Sequence, residues 1–110
     1  MAGRLRRGEV RLLKLKAPDK ERPVVVLTRD SSLEFLGWTT VAPITSTIRG
    51  VRSEAALDIE DGMKGPCVVN AHNIVTVQKD QIGRRVAQLS EAKIREVCDA
   101  IAFSLGCEAR

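Results

Sequence analysis

Aromatic side chains are nearly absent from this chain of 110 residues, which has one Trp, two Phe and no Tyr. A protein that reads single strands by stacking bases on several exposed rings needs such residues in numbers, so their scarcity argues against that class. Cysteine is also sparse. Cys67, Cys98 and Cys107 are odd in number and lack any C-x-x-C spacing, which argues against a disulfide framework and a zinc site. They read as reduced thiols of a cytoplasmic protein. No apolar run approaches the ~20 residues that cross a bilayer. Near the start, Leu12-Leu13 is broken at once by Lys14 and Lys16, unlike a secretory leader. Histidine occurs once, as His72.

Hydrophobic residues make up 44% of the chain and charged residues 29%, an ordinary balance for a globular protein. The length suits one domain, 1–110, with a single core. The net charge of +4 permits a polyanionic partner without requiring one. Its distribution is more telling. Arg4, Arg6, Arg7, Arg11, Lys14 and Lys16 face only Glu9 in the first 16 residues. Residues 1–6 read as a flexible basic start, which by itself also fits a solubilising tail.

The apolar pattern predicts short strands followed by one helix. Residues 8–15 alternate with a displacement between Leu12 and Leu13 that suggests a bulge. Residues 17–21 form a charged turn, and Pro23 opens a strand where its missing donor costs least. Residues 24–28 are continuously apolar, as in a strand covered on both faces. Asp30, Ser31 and Ser32 suggest a capped single helical turn ended by Gly37. Further strands are expected at 38–44, 54–59, 67–70 and 74–77, with a last edge strand at 84–89. Cys67 and Cys98 are expected inside. From Ser90, a good N-cap, the residues Ile94, Val97, Cys98, Ile101 and Leu105 follow helical spacing to Gly106. The expected fold is mainly β: an antiparallel barrel of five to seven short strands with a C-terminal helix at about 90–105.

Two of these strands carry chemistry at their ends. Arg22 stands just before Pro23-Val24-Val25-Val26, and Thr45 closes Val41-Ala42-Pro43-Ile44. If the strands are neighbours, a guanidinium and a hydroxyl meet at one rim. That combination suits a phosphodiester, because the planar guanidinium matches two phosphate oxygens and stays charged. From the residues alone, Ser46 and Thr47 serve as well as Thr45.

The order Gly8-Glu9-Val10, Arg22 to Leu27, Val41-Ala42-Pro43-Ile44-Thr45 and Asn73-Ile74-Val75-Thr76-Val77, closed by an amphipathic helix, resembles the MazF/PemK family of toxin endoribonucleases from about Arg7 to Gly106. The resemblance implies an SH3-like or CcdB-like barrel working as a homodimer. It implies metal-independent, sequence-specific cleavage of single-stranded RNA to 2′,3′-cyclic phosphate and 5′-hydroxyl ends, with no cofactor. It also implies inhibition by a small antitoxin whose acidic, disordered tail occupies the RNA groove. The family's strand-entry arginine falls on Arg22 and its hydroxyl on Thr45, which singles Thr45 out from its neighbours. Some members carry an Arg-x-Asp acid/base pattern where this chain reads Asn70-Ala71-His72-Asn73. His72 is therefore the third catalytic candidate, since imidazole titrates near pH ~6.5 and serves either end of a proton transfer. Arg29, Ser46, Thr47, Arg49, Asn70 and Lys79 are candidates for RNA contacts, with Arg84 and Arg85 as further cations. The turn at 17–21 is shorter than the loop that covers substrate in many members, so a cleavage motif does not transfer.

Two other classes fit parts of the pattern. A non-catalytic CcdB-like poison of gyrase uses the same barrel without needing Arg22 or Thr45. A basic SH3-like module that binds nucleic acid without cutting keeps the positive start and needs no aligned hydroxyl.

Overall fold

The computed structural model describes residues 4–15 and 20–108. Seven strands run β1 Glu9–Leu13, β2 Arg22–Val26, β3 Trp38–Thr45, β4 Glu54–Leu57, β5 Cys67–Asn70, β6 Val75–Gln78 and β7 Ile82–Gln88. A one-turn helix, α1 Asp30–Leu33, joins β2 to β3, and a long helix, α2 Glu91–Leu105, ends the chain. The strand order is β4-β5-β3-β2-β1-β7, every pairing is antiparallel, and β6 pairs off this path with β3.

The eight-residue β3 organises the sheet. One edge pairs with β2 through Val41, Ala42 and Pro43. Its other edge changes partner midway: residues from Trp38 to Val41 face β6, and Ile44 and Thr45 face β5. The expected mainly β fold of five to seven short strands with a C-terminal helix is present, with seven strands. The barrel, however, is not closed, because β4 and β7 do not pair. Helix α2 covers the region between them. Ile94 lies against Gly8 at the start of β1, and the Lys93 ammonium donates to the Ala56 carbonyl of β4 at 2.9 Å. An edge strand's unpaired backbone is thereby covered.

Two apolar clusters occupy the two sides of the sheet. Val10, Val25, Ala42, Ile44, Val69 and Leu57 pack with Val97 and Ala100 of α2. On the other side, Leu13, Val24, Val26, Val41, Val77 and Ile82 pack with Leu33 of α1. Val24, Val25 and Val26 feed alternate clusters, which explains why this strand is continuously apolar.

Helix α2 follows its local signals. The Ser90 hydroxyl accepts from the Lys93 amide at 3.1 Å, and Gly106 ends the helix at φ 73°. Leu105 departs from expectation: it is exposed in the helix's last turn. Cys67 and Cys98 are half-buried rather than inside, and burial, with Asp58 and Asp61 nearby, pushes the Cys67 thiol up from its ordinary pKa. The cap of α1 also differs. Arg29 is its N-cap residue and gives no side-chain bond, while the Asp30 carboxylate accepts from the Arg7 amide at 2.8 Å.

The basic start is anchored from Arg4 onward. Leu5 is buried in the α1-side cluster, Arg4 pairs with Glu34, and the Arg6 amide donates to Glu9 at 2.7 Å. Arg11 is not a surface charge at all. Glu9 and Arg11 are only 3% and 4% exposed and form an ion pair at 3.1 Å, with Arg11 also donating to the carbonyls of Gly83 and Arg4. Two residues apart on one strand, they share a face. Most of the turn at 17–21 lies outside the described residues.

Candidate active site

Arg22 is the first residue of β2 and pairs with Leu13 of β1. The β2–β3 register matches Val26 with Val41, Val25 with Ala42 and Val24 with Pro43. Counting on in that register brings Arg22 to the level of Thr45. Alternation also puts the two on one face. Arg22 follows Val24 and Val26, and Thr45 follows Val41, all on the side away from α2. Val24 is buried there, whereas Pro43 and Thr45 are half-buried and Arg22 is exposed, so this end of the face opens to solvent.

Both groups have donors to spare. Among the described residues no carboxylate pairs with Arg22. The Thr45 hydroxyl accepts from the Thr47 amide at 3.1 Å, which orients its oxygen and leaves its own proton to donate. An anion placed between them can take two parallel guanidinium N–H donors and one hydroxyl.

The loop after Thr45 is held by one side chain. The Glu54 carboxylate accepts from the amides of Arg49 and Gly50, at 3.1 and 2.9 Å, leaving Ser46, Thr47 and the Arg49 side chain exposed beside Thr45. Other candidates have different surroundings. The Asn70 side chain accepts from the His72 amide at 2.9 Å and caps the 3₁₀ turn Ala71–Asn73. Arg29 and Lys79 stand at the far ends of β2 and β3 from Arg22 and Thr45. The Lys79 ammonium is spent on the Leu33 carbonyl, bracing α1.

His72 is exposed, and its Nδ1 lies 3.1 Å from the Ser104 hydroxyl of α2. Its neighbour Ala71 belongs to the α2-side core. The structure thus ties His72 to the helix side, while Arg22 and Thr45 point to the opposite side of the sheet. Arg22 and Thr45 are brought together and His72 is not placed with them.

Known proteins match this chain over nearly its whole length. The family model of the PemK-like, MazF-like toxin of type II toxin-antitoxin systems covers residues 6–105. This chain belongs to the MazF-like toxin family. A relative from Mycobacterium tuberculosis, the probable endoribonuclease MazF2, is 39% identical over 104 residues, spanning 94% of this chain and all of that protein. The solved Mycobacterium tuberculosis toxin MazF-mt6 superposes with a TM-score of 0.83 at 32% identity, covering 92% of this chain and 99% of its own. An endoribonuclease in complex with its cognate antitoxin from Mycobacterial species shares the fold at a TM-score of 0.84 and 23% identity, over 96% of this chain and 99% of that one.

In this MazF-like toxin no group of three or more His, Cys, Asp or Glu side chains converges to hold a metal ion among the described residues. No helix of those residues is long and apolar enough to cross a membrane. Sequence reasoning missed the burial of Glu9 and Arg11. Alternation of Glu9 and Arg11 with Val10 and Leu12 points to a solvated polar face, so no local signal marked their burial.

Proposed function

We propose that this MazF-like toxin is a metal-independent endoribonuclease acting on single-stranded RNA in the cytoplasm. The observation that carries the reading is the placement of Arg22 and Thr45 at one level of adjacent strands, on one open face, with donors unspent. In the proposed reaction the ribose 2′-oxygen attacks the adjacent phosphorus. The 2′-oxygen–phosphorus bond forms and the phosphorus–5′-oxygen bond breaks. The 2′-hydroxyl gives up its proton, the departing 5′-oxygen gains one, and a 2′,3′-cyclic phosphate remains. No protein nucleophile is needed.

Arg22 binds the scissile phosphate and holds the charge that builds on its non-bridging oxygens. A basic role does not suit it, because a guanidinium stays charged across the physiological range and has no lone pair to offer a proton. Thr45 donates to the same oxygens, and Ser46, Thr47 and Arg49 border the site as contacts for the flanking chain. His72, held on the α2 side by Ser104, is left outside the chemistry.

The proposed partners follow from charge and from the relatives. A basic surface that attracts RNA attracts an acidic, disordered antitoxin tail in the same way. The toxin acts as a homodimer, as the family resemblance implies.

The test is incubation of defined RNA with purified protein in EDTA and mapping of the cut ends. Cyclic phosphates with 5′-hydroxyls are expected, and Arg22→Ala is expected to stop the cutting with the fold intact. Intact RNA beside growth arrest and gyrase binding would instead support the non-catalytic class.

A further inference from the structure

Two cavities join into one trough that runs from the first turns of α2 to the α1 side of the sheet. A cleft of 980 Å³ lies between the start of β1, the end of β7 and the first turns of α2, with Arg6, Arg7, Arg85 and Arg95 on its walls. A larger one of 1710 Å³ shares Arg4, Arg6, Arg11, Asp30 and Arg85 with it. This second cavity continues past Gly83 and Arg84 to Lys14 and Glu21, the residue before Arg22. Its floor includes Leu5, Leu33 and Ile82, members of the cluster on the side that Arg22 faces.

Six carboxylates line this trough against nine arginines and lysines, and three of the six are already engaged. Glu9 is bound to Arg11, Glu34 to Arg4, and Asp30 to the Arg7 amide. Arg6, Arg84 and Arg95 have no such partner among the described residues, and Arg85 is 60% exposed with Glu9 only at 3.9 Å. On the rim stands Phe35, which is 84% exposed. A bare aromatic ring beside unpaired guanidinium groups is the combination that holds single-stranded nucleic acid, since the ring stacks a base while the cations follow the phosphates. An acidic peptide uses the cations but gains less from a fully presented ring.

We infer that this trough is the track along which single-stranded RNA reaches Arg22, with Arg6, Arg84 and Arg85 on successive phosphates and Phe35 under one base. The inference rests on the reading of the Arg22 end as the site of cleavage.

Direct binding tests it without catalysis. A fluorescent, uncleavable 2′-O-methyl RNA of roughly twelve nucleotides, within the length that such grooves hold, is titrated at several salt concentrations. The double variant Arg6→Gln/Arg84→Gln is expected to bind at least about tenfold more weakly and to lower the salt slope by about 1.4, near 0.7 for each lost single-strand phosphate contact. Arg6→Lys/Arg84→Lys keeps the charges and retains most of the slope. Phe35→Ala weakens binding about tenfold and leaves the slope unchanged. Wild-type affinity and slope in both Arg6→Gln/Arg84→Gln and Phe35→Ala overturn the track. So does loss of affinity for a synthetic acidic peptide with RNA binding unmoved, which makes the trough a peptide surface. The two readings fail separately. Wild-type protein that binds the oligonucleotide through these residues but leaves ordinary RNA uncut refutes the nuclease and keeps the track, whereas a cutting enzyme with unmoved variants does the reverse.

Discussion

Arg22 and Thr45 stand at the same level of two adjacent antiparallel strands, two residues beyond the Val24–Pro43 pair and on the same face. Neither residue is near the other in sequence, and only the register of β2 on β3 makes them one site. If both act on one phosphoryl group, their losses are coupled. Arg22→Ala is expected to lower kcat for RNA cleavage at least about a hundredfold and Thr45→Ala about tenfold or more. The double variant should fall well short of the product of the two effects. Thr45→Ser keeps the hydroxyl and most of the rate. Strict multiplication in single-turnover kinetics would show that the two residues serve different steps.

His72 is placed to brace α2. Its bond to Ser104 and its location on the helix side lead to the expectation that His72→Asn and Ser104→Ala change cleavage by less than about threefold, as a residue outside the reacting atoms does. A pH–rate profile of the His72→Asn variant decides the point. If an inflection present in the parent's profile disappears in the variant, His72 is the proton carrier.

The buried Glu9–Arg11 pair makes the start of β1 sensitive to single changes. Removing one partner leaves an uncompensated charge inside, so Glu9→Ala is expected to cost about 3–5 kcal/mol in urea unfolding. The double change Glu9→Leu/Arg11→Met should recover much of the loss, because two apolar chains of similar volume carry no desolvation penalty. A double variant no better than Glu9→Ala would show that the Arg11 bonds with Gly83 and Arg4, lost only in the double change, are worth as much as the unpaired charge costs.

Gly8 has φ 86°, and a Cβ built there would lie 2.3 Å from Ile94 Cδ1. Backbone strain of about 1–2 kcal/mol and overpacking of about 1–3 kcal/mol combine against any side chain. Gly8→Ala is therefore expected to lower stability by about 2–5 kcal/mol. Adding Ile94→Ala should return the packing share but not the backbone share, which thermal unfolding of the pair would separate.

The raised pKa of Cys67 has a direct consequence for reactivity. At pH 8, below a thiol's ordinary range, a raised pKa means less thiolate, and thiolate is the nucleophile. Alkylation by iodoacetamide followed by mass spectrometry should label exposed Cys107 first and Cys67 slowly, with the Cys67 rate still climbing as pH rises past 9. Removing the charge at Asp58 by Asp58→Asn should speed Cys67 modestly, since burial is the larger cause.

Much of the architecture was legible because its signals are local. Ser90 and Gly106 bound α2 through hydrogen bonds and a backbone conformation that neighbouring residues decide. Pro23 and the valines after it announce a strand buried on both sides. Signals that depend on distant partners were read less well. Asp30 looked like a helix cap, yet Arg7, 23 positions away, takes its carboxylate. Leu105 keeps the helical spacing but is exposed. Arg11 looked like one more charge in a basic start until Glu9 and the Gly83 carbonyl enclosed it.

The sequence by itself determined the strands, the closing helix, the excess of arginine and the chemistry that Arg22 and Thr45 can offer, because periodicity and side-chain type are properties of the chain alone. Tertiary structure decided which charges meet. Antiparallel register set Arg22 beside Thr45, the two-sided packing of the sheet sent His72 to α2, and the fold of β1 against β7 turned scattered arginines into one trough. Those outcomes depend on contacts between residues far apart along the chain, and no local pattern encodes them.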